Sequence, residues 1–97
     1  MNKTNNPPAD TIRYGALKAV IWRNVSQDDL QKVHYSVNYI RSYKDTNGEW
    51  QDSTSFSEVD NLKIGQLIPR VAMRLTELKA KDRQNNVNED FETEVAA

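Results

Sequence analysis

The chain lacks cysteine and has few of the residues that catalytic and metal sites require. Without cysteine there is no disulfide framework, no thiolate nucleophile and no thiolate-bound zinc. His34 is the only histidine, so a multi-histidine metal site and a Ser-His-Asp triad find no support. The three glycines, at positions 15, 48 and 65, form no phosphate-binding loop. These absences predict a protein that is not an enzyme and that uses no metal or cofactor.

Long apolar segments are missing as well. The first ten residues, MNKTNNPPAD, lack the apolar centre of a signal peptide, and no stretch approaches the roughly 20 apolar residues of a membrane span. We therefore expect a cytoplasmic protein that does not contact a membrane. A chain of 97 residues predicts one small domain, and its thin core favours a homodimer.

Composition divides the chain into three parts. Residues 1–11 contain Pro7 and Pro8 and predict a flexible arm. Residues 12–84 predict the single domain and carry 12 basic against 9 acidic side chains, a balance of +3. Residues 85–97 carry four acidic side chains and no basic one, which predicts a disordered tail. This acidic tail keeps the protein soluble, docks on a protein partner, or competes internally for the basic surface.

Strand patterns fill the first half of the domain. Residues 12–23, IRYGALKAVIWR, predict a long first strand with a bulge or bend at Gly15. After a polar connection over residues 24–33, residues 34–56 predict a hairpin whose reversal is Asp45-Thr46-Asn47-Gly48, since Asn-Gly tolerates the positive φ angles of a tight turn. The domain is therefore predicted to be α+β, with an antiparallel sheet of three or four strands before a helix, in the order β-β-β-α.

The second half of the domain predicts a long helix over residues 57–83. Ser57 and Asp60 have the spacing of a capping box, and Asp60 could itself be the cap. Pro69 predicts either a kink near Gln66 or a division into two helices. We expect the half after Pro69 to contact a second subunit. The apolar residues of the helix recur at spacings of three and four: Ile64, Leu67, Ile68, Val71, Leu75 and Leu78.

Alternation along the strands predicts two different sheet faces. In the first strand, Leu17, Ala19 and Ile21 have the size to pack against the helix, which turns Lys18 and Trp22 to the open face. The same alternation predicts these further inward residues: Tyr35, Val37, Tyr39 and Phe56. It predicts these further outward residues: Ser36, Asn38, Ser42, Ser53 and Ser55.

An open face with a cation, an indole and many hydrogen-bonding groups suits single-stranded DNA or RNA. Aromatic side chains stack on unpaired bases, and basic side chains neutralise phosphates. The alternative for each candidate is core packing or ordinary solvated surface. The candidate contact residues are Lys18, Trp22, Arg23, Asn38, Arg41 and Lys44.

Residues 41–49, RSYKDTNGE, precede a serine-rich strand and a long helix. This order resembles part of the positive cofactor four transcriptional coactivators, which are distantly similar to the Whirly proteins. The resemblance implies a dimer that binds single-stranded DNA across its sheet and uses its helices for the dimer contact. Residues 12–24 with the hairpin are also similar to short bacterial proteins of unassigned function.

A second hypothesis belongs to a different class. The chain could be a small protein interaction module, such as a phage or plasmid regulator or inhibitor, that docks through the face or the edge of its sheet. Salt distinguishes the two, because strand binding weakens steeply with added salt and a packed protein contact does not.

Overall fold

Four strands and one helix follow one another along the chain. The computed structural model describes the backbone of residues 7–28, 30 and 32–96, and the side chains of the same residues as far as Asn85. Its elements are β1 (Asp10–Tyr14), β2 (Leu17–Val25), β3 (Val33–Lys44), β4 (Trp50–Ser53) and α1 (Glu58–Ala96). Neighbouring strands are antiparallel and lie in the order β1-β2-β3-β4. The predicted α+β class is confirmed, in its four-stranded form.

The predicted first strand is a hairpin of two strands. Tyr14 pairs with Leu17, so Gly15 and Ala16 form a two-residue turn between β1 and β2. Gly15 has a φ of +61°, a value that a side chain disfavours and that tight hairpin turns require. The glycine therefore reverses the chain, where a bulge or bend had been expected. β1 begins at Asp10, inside the arm predicted over residues 1–11.

The second hairpin turns where the sequence predicts it. Gly48 has a φ of +81°, and its amide donates to the Asp45 carbonyl over 3.0 Å. The Asp45 carboxylate accepts hydrogen bonds from the amides of Asn47 and Glu49, both at 2.9 Å. β4 is shorter than expected and ends at Ser53. There the Ser53 hydroxyl accepts a 3.0 Å hydrogen bond from the Ser55 amide, so the chain leaves the strand before Phe56.

The core lies between α1 and the face of the sheet that the sequence predicts. Leu17, Ala19 and Ile21 are buried from β2, and Leu67 and Val71 are buried from the helix. The half-buried apolar residues that pack around Ala19, Ile21 and Val71 are Ala9, Ile12, Tyr35, Val37, Tyr39, Leu75 and Leu78. The predicted face of Ser53 is wrong. Ser53 pairs with Arg41, which places it on the helix side of the sheet.

Helix α1 begins with the predicted capping box. The Ser57 amide donates to Asp60 Oδ2 over 3.0 Å, and the Asp60 amide donates to Ser57 Oγ over 3.1 Å. Ser57 is therefore the cap and Asp60 is its partner in the first turn. The amide of Ser57 also holds the pKa of Asp60 below its usual value.

The helix is one element from Glu58 to Ala96, with Pro69 inside it. It is therefore not split into two helices. The ring of a helical proline crowds the carbonyl four residues before it, which belongs here to Gly65, the residue with the least steric demand of its own. The side chains of the acidic segment predicted as a disordered tail over residues 85–97 lie, from residue 86 onward, outside the described residues.

Three ion pairs join the helix layer to the sheet. Near its start, Asp60 lies 3.4 Å from Arg41 of β3. Further along, Arg74 Nε donates to Asp10 of β1 over 2.6 Å. Near the far end of the sheet, Asp82 lies 3.2 Å from Arg23 of β2. The helix runs along the sheet and packs mainly over β1 and β2, which leaves the helix side of β3 only partly covered.

Candidate functional site on the open face

The sheet surface opposite α1, here called the open face, carries basic side chains from adjacent strands. Lys18 of β2 pairs with Arg13 of β1 on one side and with Ile40 of β3 on the other. All three alternate with residues that pack in the core on the helix side, Ile12, Ala19 and Tyr39, and therefore point away from the helix. Arg13 and Lys18 thus form a pair of neighbouring cations at one end of the sheet.

Trp22 lies further along the same face, as the sequence predicts. Its indole Nε1 donates a 2.7 Å hydrogen bond to Oδ1 of Asn38, which is also on the open face. The bond fixes the orientation of a half-exposed ring whose polar edge would otherwise need water. Val20 lies between Lys18 and Trp22 on this face and is only 7% exposed, so the face has a small apolar centre.

The second indole lies at the β3-β4 end of the open face. Lys44 pairs with Trp50, and its ammonium nitrogen lies 5.4 Å from the centre of the indole ring. That distance is within the range of a cation-π contact. Trp50 is 68% exposed, which leaves most of its ring free to contact another molecule. Beside it, Ser42 Oγ donates a 3.2 Å hydrogen bond to Oδ1 of Asp52.

A shallow concavity of about 640 Å³ lies between the Arg13 and Lys18 pair and Trp50. It lies beside the β1-β2 turn, where β3 continues past its neighbours to pair with β4. Cations and an indole line it together with small residues that leave the space open. The lining residues are Arg13, Gly15, Ala16, Lys18, Ser42, Trp50 and Asp52.

The six candidate residues do not form one surface. Lys18, Trp22, Asn38 and Lys44 lie on the open face, as the pairing register requires. Arg23 and Arg41 share the helix side of the sheet, where each guanidinium is paired with a carboxylate of α1. Arginine occurs there because its long stem covers apolar surface while its charged end reaches the helix.

The charges on the two sides are therefore used differently. Every described ion pair involves an arginine on the helix side of the sheet or on the helix: Arg23, Arg41 or Arg74. Arg13, Lys18 and Lys44 form no ion pair with any described residue. The open face thus holds three cations without a carboxylate partner among the described side chains, and Asp52 is the one carboxylate in its concavity.

Sequence reasoning missed two residues of this face. Arg13 was hidden because residues 12–23 were read as one strand, whereas the turn at Gly15 brings Arg13 beside Lys18. Alternation with the outward residues Ser53 and Ser55 predicts Trp50 on the inward side, together with Phe56. The register of the second hairpin instead opposes Trp50 to Lys44 on the open face. Counting back across a two-residue turn at Asn47-Gly48 opposes Trp50 to Asp45, whereas the loop has three residues, 46–48, and this shift of one residue changes the face of Trp50.

Acidic groups with shifted titration have structural partners. Backbone amides, chiefly that of Glu49, and the Gln51 side chain lower the pKa of Asp45, which organises a hairpin turn. The hydroxyl of Tyr35 and the guanidinium of Arg23 lower the pKa of Asp82. Burial raises the pKa of Tyr39. Among the described residues, no group of three His, Asp or Glu side chains has a metal-binding arrangement.

Comparisons with protein-family models, with curated proteins and with solved structures find no match to this chain. The resemblance of residues 41–49 to the positive cofactor four family stays a prediction. Within the described part of the chain, no helix has the length and apolar character needed to cross a bilayer.

Proposed function

We propose that the protein binds single-stranded nucleic acid on the open face of its sheet and has no enzymatic activity. The observation that carries the proposal is the combination of two partly exposed indoles, Trp22 and Trp50, with cations that pair with no described carboxylate. A duplex presents its phosphates outside and keeps its bases stacked inside. Only an unpaired strand offers both phosphates and base faces to the same flat surface.

The geometry supports a division of roles across the open face. Trp50 is mostly exposed and lines the concavity, so it is the better placed ring for base stacking, which contributes about 1 to 3 kcal/mol per base. Arg13 and Lys18 flank the concavity and would neutralise phosphates. Asn38 holds the Trp22 ring and would position it against a second base. A cytoplasmic location remains part of this proposal.

The test is a titration of intrinsic tryptophan fluorescence with oligo-dT and with a duplex of equal length, each at low and at moderate salt. We expect quenching by the single strand alone, and a loss of affinity as salt rises because bound counterions are released from phosphates. Equal quenching by duplex, or the absence of binding in all four mixtures and in mobility-shift assays, would contradict the proposal.

A protein interaction module is the second candidate, and one observation favours it. Part of β3 has a backbone edge that pairs with no other strand in the described part of the chain, and such an edge can accept a strand from another protein. Binding through that edge would depend little on salt. The same salt series therefore separates the two functions.

A further inference from the structure

Strand β3 is long enough to pair with different strands along its length. Its residues 33–41 pair with β2 on one side, but only its residues 41–44 pair with β4 on the other side. Among the described residues, no strand pairs with the stretch from Val33 to Ile40 on the side of β4, so this stretch has a free edge there. This free stretch of β3 is longer than β4, which has four residues, and β1 has only five.

The pairing pattern identifies which backbone groups point to the free edge. Ser42 donates to the Ala16 carbonyl, and Ser26 donates to the Lys32 carbonyl, so the even residues of β3 bond with β2. The odd residues consequently point the other way, as the Asp45 amide does when it donates to Glu49 across the second hairpin. No described hydrogen bond uses the free backbone groups of these residues: Val33, Tyr35, Val37 and Tyr39.

This edge also lacks the usual protection against strand pairing. Residues 33–40, VHYSVNYI, contain no proline and no Lys, Arg, Asp or Glu. Exposed edges in monomeric proteins are commonly short, charged or interrupted by proline. The outer strand β1 fits that rule, because it is short and carries Asp10 and Arg13. The uncharged stretch of β3 is therefore able to pair with a further strand.

The helix-side surface next to this edge is incompletely covered as well. Tyr35, Val37 and Tyr39 are only half-buried, because α1 packs mainly over β1 and β2. On α1, Ile68 is also exposed, to 50%. A further strand on the free edge would place alternate side chains over this apolar margin. The edge and the margin therefore point to the same occupant, a strand with apolar residues on one side.

We propose that the occupant is β3 of a second copy of the chain, paired antiparallel about a twofold axis at Ser36. In this register Val33 meets Tyr39 of the second copy, and Tyr35 meets Val37 of the second copy. Every free odd residue then opposes another free odd residue, which gives four pairs of two hydrogen bonds each. A register centred on Val37 would instead oppose Val33 to Arg41, whose edge β4 already occupies.

The side chains agree with this register. The helix side gains pairs of tyrosine with valine, and aromatic residues opposite β-branched residues stabilise antiparallel strands. The open side gains His34 beside Asn38 and Ser36 beside its own copy. No like charges meet. The result is one sheet shared by two copies, in which the two open faces continue across the axis. The free edge of β3 is a different surface from the proposed nucleic-acid site, so the dimer does not depend on nucleic-acid binding.

The absence of cysteine allows a direct test by single substitutions. At a non-hydrogen-bonded pair the two Cα atoms lie about 4.5 Å apart, within the roughly 4.4–6.8 Å range of disulfides. Ser36→Cys should therefore form a covalent dimer under mild oxidation. His34→Cys is the matched control, because the two copies of residue 34 would be offset by four residues, about 13 Å along the strands. Met73→Cys reports a dimer through the outer face of the helix.

The oligomeric state completes the test. An edge contact is smaller than the roughly 1,600 Å² of a tight interface, so the measurement needs a high protein concentration. Light scattering at about 100 µM should give twice the chain mass of 11.2 kDa. Val37→Lys should remain folded by circular dichroism and become monomeric, whereas Met73→Lys should stay dimeric. A monomeric wild-type protein, a dimer that crosslinks through Met73→Cys but not through Ser36→Cys, or a folded Val37→Lys dimer would each overturn the proposal.

Discussion

The hydroxyl of Tyr35 donates a 2.5 Å hydrogen bond to Oδ2 of Asp82, which lies 47 residues away in the chain. Arg23 contacts the same carboxylate, so one side chain of α1 is held by two strands. The hydroxyl and the guanidinium lower the pKa of Asp82. Burial, and then the contact with Asp82, raise the pKa of Tyr35. This group fixes the helix over the far end of the sheet.

Asp82→Asn should lower the free energy of unfolding at neutral pH. The side chain keeps its shape but loses its charge, and because both partners are partly exposed we expect a cost of about 1 kcal/mol, or roughly 4–8 °C in Tm. A carboxylate with a lowered pKa stabilises the fold above its unfolded pKa of about 3.9. The difference between wild type and variant should therefore disappear as the pH falls below about 4. Thermal unfolding at several pH values measures this stability difference. A difference that persists in acid would show that the charge of Asp82 is not its cause.

The glycines at positions 48 and 65 should respond oppositely to alanine. Gly48 has a φ of +81°, so Gly48→Ala should cost about 1 kcal/mol of stability. Gly65 lies inside α1 with open space where a Cβ would be, so Gly65→Ala should gain about 0.5–1 kcal/mol. Denaturant titration of the two variants checks both signs. A destabilising effect at Gly65 would show that the helix needs its freedom there.

Pro69→Ala should stabilise the helix. Proline removes one backbone donor and crowds the preceding turn, at a cost of about 3 kcal/mol in a helix interior. Its exposed position means that alanine loses no core contact. We expect a higher denaturation midpoint with an unchanged far-ultraviolet spectrum. If stability falls instead, Pro69 contributes to the packing of α1 over the sheet.

Replacing Lys18 and Lys44 together by alanine should weaken oligo-dT binding and reduce its dependence on salt. Each phosphate contact removed lowers the slope of log affinity against log salt by about 1. Lys79→Ala with Lys81→Ala is the matched control, because it removes the same charge from the helix on the opposite side of the sheet. Equal losses in both double variants would indicate a general charge effect and not a site on the open face.

The sequence predicts the fold well where local signals agree with packing. The spacing of Leu67 and Val71, the capping box at Ser57 and the alternation around Ala19 each describe contacts that the structure contains. The turn at Gly15 was less visible, because one glycine among strand-forming residues is compatible with a bend, a bulge or a reversal. The pairing of Arg13 with Lys18, which exists only in the folded sheet, shows that the chain reverses at Gly15.

The candidate surface was predicted less completely. Lys18 and Trp22 follow from alternation alone, and the structure places both on the open face. Arg23 and Arg41 are cations in the same strands, but their roles depend on carboxylates in α1, and no local pattern links residues so far apart. The face on which Trp50 lies depends on the register of a hairpin, and a shift of one residue moves every side chain of a strand to the other face.

The strand order of the sheet has a consequence for how the protein is made. Each strand pairs with the one synthesised just before it, so the sheet needs no contact with distant parts of the chain. Pairings of short sequence separation form early and fast. The helix that covers Leu17, Ala19 and Ile21 leaves the ribosome after the whole sheet. Until the helix is synthesised, the nascent sheet exposes its future core residues and the free edge of β3. The core residues become buried when Leu67 and Val71 pack on them.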